Sequence, residues 1–164
     1  MNYESLTRKL YLKQHKRISN NKSAFNRIYS IYDDQNYGLG DKWFNNKTAL
    51  DAGCGNFGAL TVRLSKLKCK KIYACDLGNK WIDPLKKSLK ERKVNIKNID
   101  FKSGNILKLN YQKNFFDFVA VNGVLPHLKN KKDIKKGFAE GAKVCKRGGF
   151  YFTSFGVSGG LIQS

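Results

Sequence analysis

"LDAGCGNFGALTVRLSKL", Leu50 to Leu67, joins a short apolar stretch to a glycine-rich turn and then to an amphipathic run. An apolar run that halts at glycine and resumes with leucines at helical spacing predicts strand, turn, helix. Gly53 and Gly55 fall where the strand must turn sharply. Glycine there tolerates positive φ and lets a ligand approach the backbone. Gly58 lets the following helix pack closely on the sheet. The helix N-terminal amides then point at the ligand, so the stretch predicts a seat for a nucleotide-like molecule.

Downstream the pattern becomes regular. "TALDAG" reads as a first strand, and residues 58–67 as a helix with Leu60, Leu64 and Leu67 inward. "KKIYACDL" is a second strand, and residues 80–93 a helix with Trp81, Ile82, Leu85 and Leu89 on its apolar side. "VNIKNIDFKSGNIL" holds a third, weaker strand, and "FFDFVAVNG" a fourth that is apolar almost throughout. "KKDIKKGFAEGAKVCK" predicts a helix with lysines outside and Ile134, Phe138, Ala142 and Val144 nearer the core; "GGFYFTSFG" is the fifth strand. Strands that alternate with helices and are apolar on both faces predict a parallel, doubly wound α/β sheet. Right-handed crossovers then give a doubly wound sheet, with ligands beyond the carboxyl ends of the strands.

Upstream, residues 1–20 are strongly basic, with a helix around residues 3–15. In "SAFNRIYSIYD", Ser23 can cap a helix on which Phe25, Ile28, Tyr29 and Tyr32 recur at helical spacing. "DDQNYGLG" is turn-rich, and Trp43 and Phe44 pack at the edge of the main fold. The expected organisation is a basic helical segment, residues 1–45, over the ligand site, and a core from 46 to 164.

The length, 164 residues, suits one domain. No run of eighteen apolar residues predicts a membrane span, and the N-terminus has no signal-peptide core, so a cytoplasmic protein is expected. Cys54, Cys69, Cys75 and Cys145 form no CxxC pair and read as buried fillers, with neither metal nor disulfide framework expected. The net charge is +20, from 26 lysines and 6 arginines against 12 acids. Such charge steers proteins to nucleic acid or anionic membrane. Lysine, however, shares A/T-rich codons with the asparagine, isoleucine, tyrosine and phenylalanine that also abound. Arginine, the better bidentate reader of phosphates, is scarce. A nucleic-acid partner therefore ranks second to a small molecule.

Two aspartates discriminate between ligands. Asp76 ends strand two about 20 residues past the glycines, where a carboxylate accepts from ribose hydroxyls, or else caps the following loop. Asp51 stands two residues before the first glycine. The GxGxxG spacing suits NAD, but a carboxylate beside a diphosphate adds like-charge repulsion. S-adenosylmethionine brings an ammonium instead, which Asp51 can meet directly or through water. Asp51 tilts the choice to the methyl donor; hydrogen bonding within the turn is its structural alternative.

With these residues in place, the chain resembles the class I S-adenosylmethionine-dependent methyltransferases. "LDAGCGNFG" is similar to their first motif, "IYACDLG" to the second-strand motif, "FKSGNILKLNYQKNFFDFVAVNGVLPHL" to the stretch from strand three through strand four, and "VCKRGGFYFTSFG" to the turn into strand five. "FNRIYSIYD" resembles the helix that closes over the donor in small-molecule members. The resemblance implies a Rossmann-like fold, S-adenosyl-L-methionine as cofactor and S-adenosyl-L-homocysteine as product. It implies that Asp51, Gly53, Cys54 and Gly55 line the methionine end, that Asp76 binds the ribose, and that Leu77 lies against the adenine. Asn105 stands where the family often has an aspartate for the adenine amine; its amide oxygen can accept the same bond. Ile106 would stack on the ring, Asn122 and Gly123 would lie beside the sulfur, and Tyr32 would cover the donor. Leu125, Pro126 and His127 follow toward the acceptor.

The resemblance also carries departures. Phe57 interrupts the usual GxGxG, and the family fold continues past strand five with a helix and two strands. A C-terminally incomplete core is therefore expected. Its uncharged aromatic fifth strand would need a cover: the missing segment first, otherwise a second copy or "VSGGLIQS" folding back.

Methyl transfer is an in-line displacement that needs distance, alignment and exclusion of water. A base is needed only if the acceptor must lose a proton early. His127 is the candidate, since histidine titrates near neutrality. Strand four ends in "VNGVLPHL" rather than the "DPPY" or "NPPY" that accompanies methylation of base nitrogens, which argues against that one nucleic-acid subclass. The rival readings are an RNA methyltransferase, an NAD-dependent oxidoreductase and a non-catalytic S-adenosylmethionine-binding module.

Overall fold

The computed structural model describes residues 38–154 together with Ser23, Asn26 and Tyr29. Five strands form one sheet: β1 (Thr48–Ala52), β2 (Lys71–Asp76), β3 (Ile99–Ser103), β4 (Phe116–Asn122) and β5 (Cys145–Ser154). Their order is β3-β2-β1-β4-β5, and every neighbouring pair is parallel. Three helices cover the faces: α1 (Ala59–Lys66), α2 (Asn79–Glu91) and α3 (Lys131–Val144). Tight hairpins cannot join parallel neighbours, so the chain must cross a face between them. The result is the expected doubly wound α/β sheet, with its reversal of direction between β1 and β4.

Strand periodicity sorts the core into two layers. Ala49, Phe118 and Ala120 face one layer with Leu60, Leu64, Ile82, Leu85 and Leu89 from α1 and α2. Leu50, Val119 and Val121 face the other, with Leu125 and Val144. Trp81, Ile82, Leu85 and Leu89 are the buried residues of α2, as their spacing predicts. Phe44, on a 3-10 turn from Asp41 to Phe44, is buried, and Trp43 meets Phe44, Phe118 and Phe150 edge-on.

One helix face departs from expectation. Of the residues expected inward on α3, Val144 is buried and Ile134 half-buried, but Phe138 and Ala142 are exposed. Gly137 and Gly141 take the inward positions. A Cβ on Gly141 would stand 2.7 Å from Tyr151 Oη, and one on Gly137 2.9 Å from Leu125 Cδ2. The helix lies close enough here that a larger residue would force the Tyr151 or Leu125 side chain to move. Phe138 is displaced to the flank, where its ring meets Tyr151 edge-on at 5.0 Å.

β5 is the outer strand on its side among the described residues, and Phe150 is 39% exposed there. All four cysteines are free and buried. No helix of the described residues is long and apolar enough to cross a membrane. Most of the expected 1–45 segment, including Tyr32, lies outside the described residues, as do residues 155–164.

Candidate functional site

Parallel strands bring the carboxyl ends of β1, β2, β3 and β4 to one end of the sheet. The chain leaves β1 through Gly53 (φ 88°) and Gly55 (φ 59°) and enters α1 from Gly58 (φ 55°). These left-handed values suit glycine. A Cβ on Gly53 would also stand 2.0 Å from Val124 Cγ2, and one on Gly58 2.3 Å from Leu85 Cδ1. Gly58 thus admits α2 beside the start of α1; the close approach is between helices rather than to the sheet. The amides of Gly53 and Cys54 both donate to the Cys75 carbonyl, at 2.8 and 3.1 Å, and hang the turn from the end of β2.

Asp76 tightens that link. Its Oδ2 accepts from the Gly55 amide at 2.8 Å and its Oδ1 from the Leu77 amide at 2.7 Å. Its backbone carbonyl takes the Gly104 amide at 2.8 Å, which draws the end of β3 alongside. Both the turn-binding and the loop-capping behaviour of this carboxylate are present.

Asp51 is 3% exposed, and the Thr61 hydroxyl donates to its Oδ2 at 2.7 Å. Burial pushes its carboxyl up to about 7; the Thr61 bond opposes this, and the charge of Asp76 adds to it. No described basic side chain forms an ion pair with Asp51. Cys54 is buried beside it, and burial, reinforced by Asp51 and Asp76, pushes the thiol well above its ordinary value. Cys54 is therefore an uncharged lining group.

The other expected residues divide. Leu77 is an exposed apolar side chain, 42% accessible, next to Asp76. Asn105 is exposed, and its Oδ1 already accepts from the Leu107 amide at 2.8 Å. Ile106 is buried in the core layer under α3, within 3.5 Å of where a Gly137 Cβ would stand. Asn122 and Gly123 end β4. The Ser154 hydroxyl donates to Asn122 Oδ1 and accepts from the Gly123 amide, at 3.0 Å for the latter bond. Gly123 has φ 66° and open space beside it. His127 is exposed at the end of a 3-10 turn, Leu125–His127, anchored by the fully buried Leu125. Tyr32 lies outside the described residues.

Three residues join this end without having been singled out in the sequence. Thr61 is the polar member of the otherwise apolar buried set of α1, a detectable signal. Ser154 pairs with Asn122 in the β4–β5 register, so it emerges only once those strands are aligned. Val124 carries no sequence signal; its place follows from the space that Gly53 leaves.

This geometry has counterparts. The fold matches a solved protein, PH0226 from Pyrococcus horikoshii, at 18% identity and TM-score 0.72, over 88% of this chain and 60% of that one. It matches an S-adenosylmethionine-dependent methyltransferase from Methanosarcina mazei at 21% identity and TM-score 0.59, over 66% of this chain and 52% of that one. A third match is the S-adenosylmethionine-dependent methyltransferase from Mesorhizobium loti, at 16% identity and TM-score 0.58, over 73% and 51%. The chain thus spans between 51% and 60% of the length of these proteins. No curated protein matches it. The model of the methyltransferase domain matches residues 50–153, more than half of the sequence, and the chain belongs to that family.

Proposed function

We propose that this chain binds S-adenosylmethionine at the carboxyl ends of β1 and β4 and serves transfer of its methyl group to a small-molecule acceptor. The observation that carries the reading is Asp51: a buried carboxylate at the glycine turn whose described partner is a hydroxyl and not a cation. A ligand ammonium supplies the missing charge, whereas the diphosphate of NAD would meet two carboxylates. The fit extends along the end of the sheet. Asp76 offers acceptor sites to ribose hydroxyls, Leu77 an apolar surface to the adenine, and Gly123 open space beside β4.

When bound, S-adenosylmethionine supplies a methyl group on a positively charged sulfur. The residues of the chain then have positional duties. Asp51 holds the ammonium, Gly53 and Gly55 let the backbone close in, and Asn122 and Gly123 fix the wall beside the sulfur. His127 accepts the acceptor's proton where one must leave.

Among the described residues, the charge at this end offers a polyanion no basic surface. Segments 51–58, 76–83, 103–109 and 122–133 hold 5 basic residues against 4 acidic ones, a near balance. Calorimetry of the purified chain with S-adenosylhomocysteine and NAD side by side tests the cofactor. Binding of the first in clear preference is expected; a preference for NAD would overturn the reading. Turnover over a panel of small acceptors then separates an enzyme from a module that only binds.

A further inference from the structure

The same parallel sheet gathers the amino ends of all five strands, and the turns that feed them, at the end opposite the glycine turn. Segments 45–47, 66–71, 90–100, 111–117 and 140–147 meet there. They hold 13 basic residues against 4 acidic ones. Codon composition adds lysine wherever the surface accepts it and does not choose an end of the molecule. Helix C-termini attract cations, but three of them offset only about 1.5 charges. Three of the four acids are already engaged, Asp117 with Lys146 at 2.8 Å, Glu140 with Lys143 at 2.6 Å and Glu91 with Lys87 at 4.0 Å. Lys68, Lys70, Lys93, Lys97, Lys113 and Arg147 are exposed and form no ion pair with a described carboxylate. Lys68 and Lys93 each occupy a left-handed turn position, φ 57°, where asparagine or glycine is the ordinary choice. Turn geometry does not ask for lysine there.

We propose that this basic end docks RNA through its phosphate backbone. Four strand spacings make it about 19 Å across, wide enough to meet several phosphates. Anionic membrane is disfavoured, because interfacial binding wants an apolar anchor. The exposed large hydrophobics among the described residues are Leu77, Phe138 and Phe150, at the carboxyl end and on the α3 and β5 flank. RNA is favoured over DNA by the exposed amides of Asn45, Asn46 and Asn114, interleaved with the lysines. An amide both donates and accepts, as does the 2′-hydroxyl that only RNA carries. The surface lies a strand's length, roughly 17–23 Å, from the donor end. RNA held here is a tether and not the methyl acceptor, and the proposal stands whether or not the donor site is as described above.

Fluorescence anisotropy of the full chain tests it, with a labelled 20-nucleotide RNA, DNA of the same sequence, and competition by phosphatidylserine-containing vesicles. One variant combines K68N, K70Q, K93N and K97Q, with asparagine chosen where φ is positive. A second removes equal charge from the helix flanks, K86Q, K87Q, K135Q and K136Q. Melting curves check both folds, and K70Q with K97Q alone replaces the first variant if it is unfolded. RNA binding tighter than DNA binding is expected, with a loss of about tenfold or more in the first variant and under about threefold in the second. The slope of log affinity against log salt should fall by about 3 in the first variant. Equal losses in both variants, DNA bound as tightly as RNA, displacement of RNA by vesicles, or no RNA binding at all would each overturn the proposal.

Discussion

Asp51 sits almost wholly out of water with a hydroxyl as its hydrogen-bond donor, and its carboxyl is pushed up to about 7 chiefly by that burial. An aspartate in an unfolded chain titrates near 3.9. Between about pH 4 and 7 the folded chain therefore keeps a proton that the unfolded chain has released. Stability contributed by this group must fall as pH rises through that window, by on the order of 4 kcal/mol. Urea titrations from pH 4.5 to 7.5 should show that slope, and Asp51→Asn should flatten it. The ammonium of a donor favours the ionised carboxylate, so calorimetric affinity for S-adenosylhomocysteine should rise from pH 6 to pH 8. That rise should vanish in Asp51→Asn; a flat wild-type profile would separate Asp51 from the ammonium. Asp76→Ala removes the acceptor from the Gly55 and Leu77 amides and, in the proposed site, from the ribose hydroxyls. A loss of roughly 1.5 to 3 kcal/mol in donor binding is expected. His127→Asn should lower turnover while leaving donor affinity nearly unchanged. Both aspartates were legible in the sequence, since each marks a strand end beside the glycine turn. Their wiring to Thr61 and Gly55 was not, because those partners lie 10 and 21 residues away and meet only after folding. Asn105 and Ile106 share that limit: the Leu107 amide that Asn105 Oδ1 accepts from and the core packing of Ile106 do not show in residue type.

At the level of elements, strands and helices were readable where burial imposes a period. β4 is buried on both faces and apolar almost throughout, and the four apolar residues of α2 all face inward. α3 was misread where the period is carried by absence. Gly137 and Gly141 are one turn apart and offer no apolar side chain to count, so Phe138 and Ala142 looked like the inward set. The close packing at Gly141 gives a test whose sign is diagnostic. In an exposed helix Gly→Ala stabilises by about 1 kcal/mol. Here the new methyl would stand 2.7 to 2.9 Å from Tyr151 ring and hydroxyl atoms, and Phe138 braces that ring. Gly141→Ala should therefore destabilise by about 1 to 3 kcal/mol. In a Tyr151→Ala background the obstacle is gone, and the same change should become stabilising by about 1 kcal/mol. Denaturant melts of the four variants measure the cycle. Stabilisation in both backgrounds would mean that α3 does not lie so near the sheet.

On the scale of the whole molecule, the sheet is treated differently at its two margins. β3 closes one margin with alternating exposed polar residues, Asp100 and Lys102 among them. Among the described residues β5 closes the other; after Lys146 and Arg147 at its start, Phe150, Tyr151, Phe152, Thr153 and Ser154 carry no charge. Unpaired amides and carbonyls along such a strand are a template for another strand, and natural edges usually blunt it with lysine, proline or a bulge. The irregular register between β4 and β5 does sit at Phe116 to Phe118, near the start of β5, but from Phe150 onward pairing with β4 is regular. The expectation is that this margin is covered in solution. Hydrogen exchange followed by mass spectrometry should then find the amides of residues 150–154 about as slow as those of β1, which is paired on both sides. Light scattering identifies the cover: a mass well above 18.7 kDa indicates a second copy, and a mass at that value indicates the chain's own residues. Exchange of those β5 amides within seconds, in a monodisperse sample of the monomer mass, would show that an uncharged aromatic margin can stand open here.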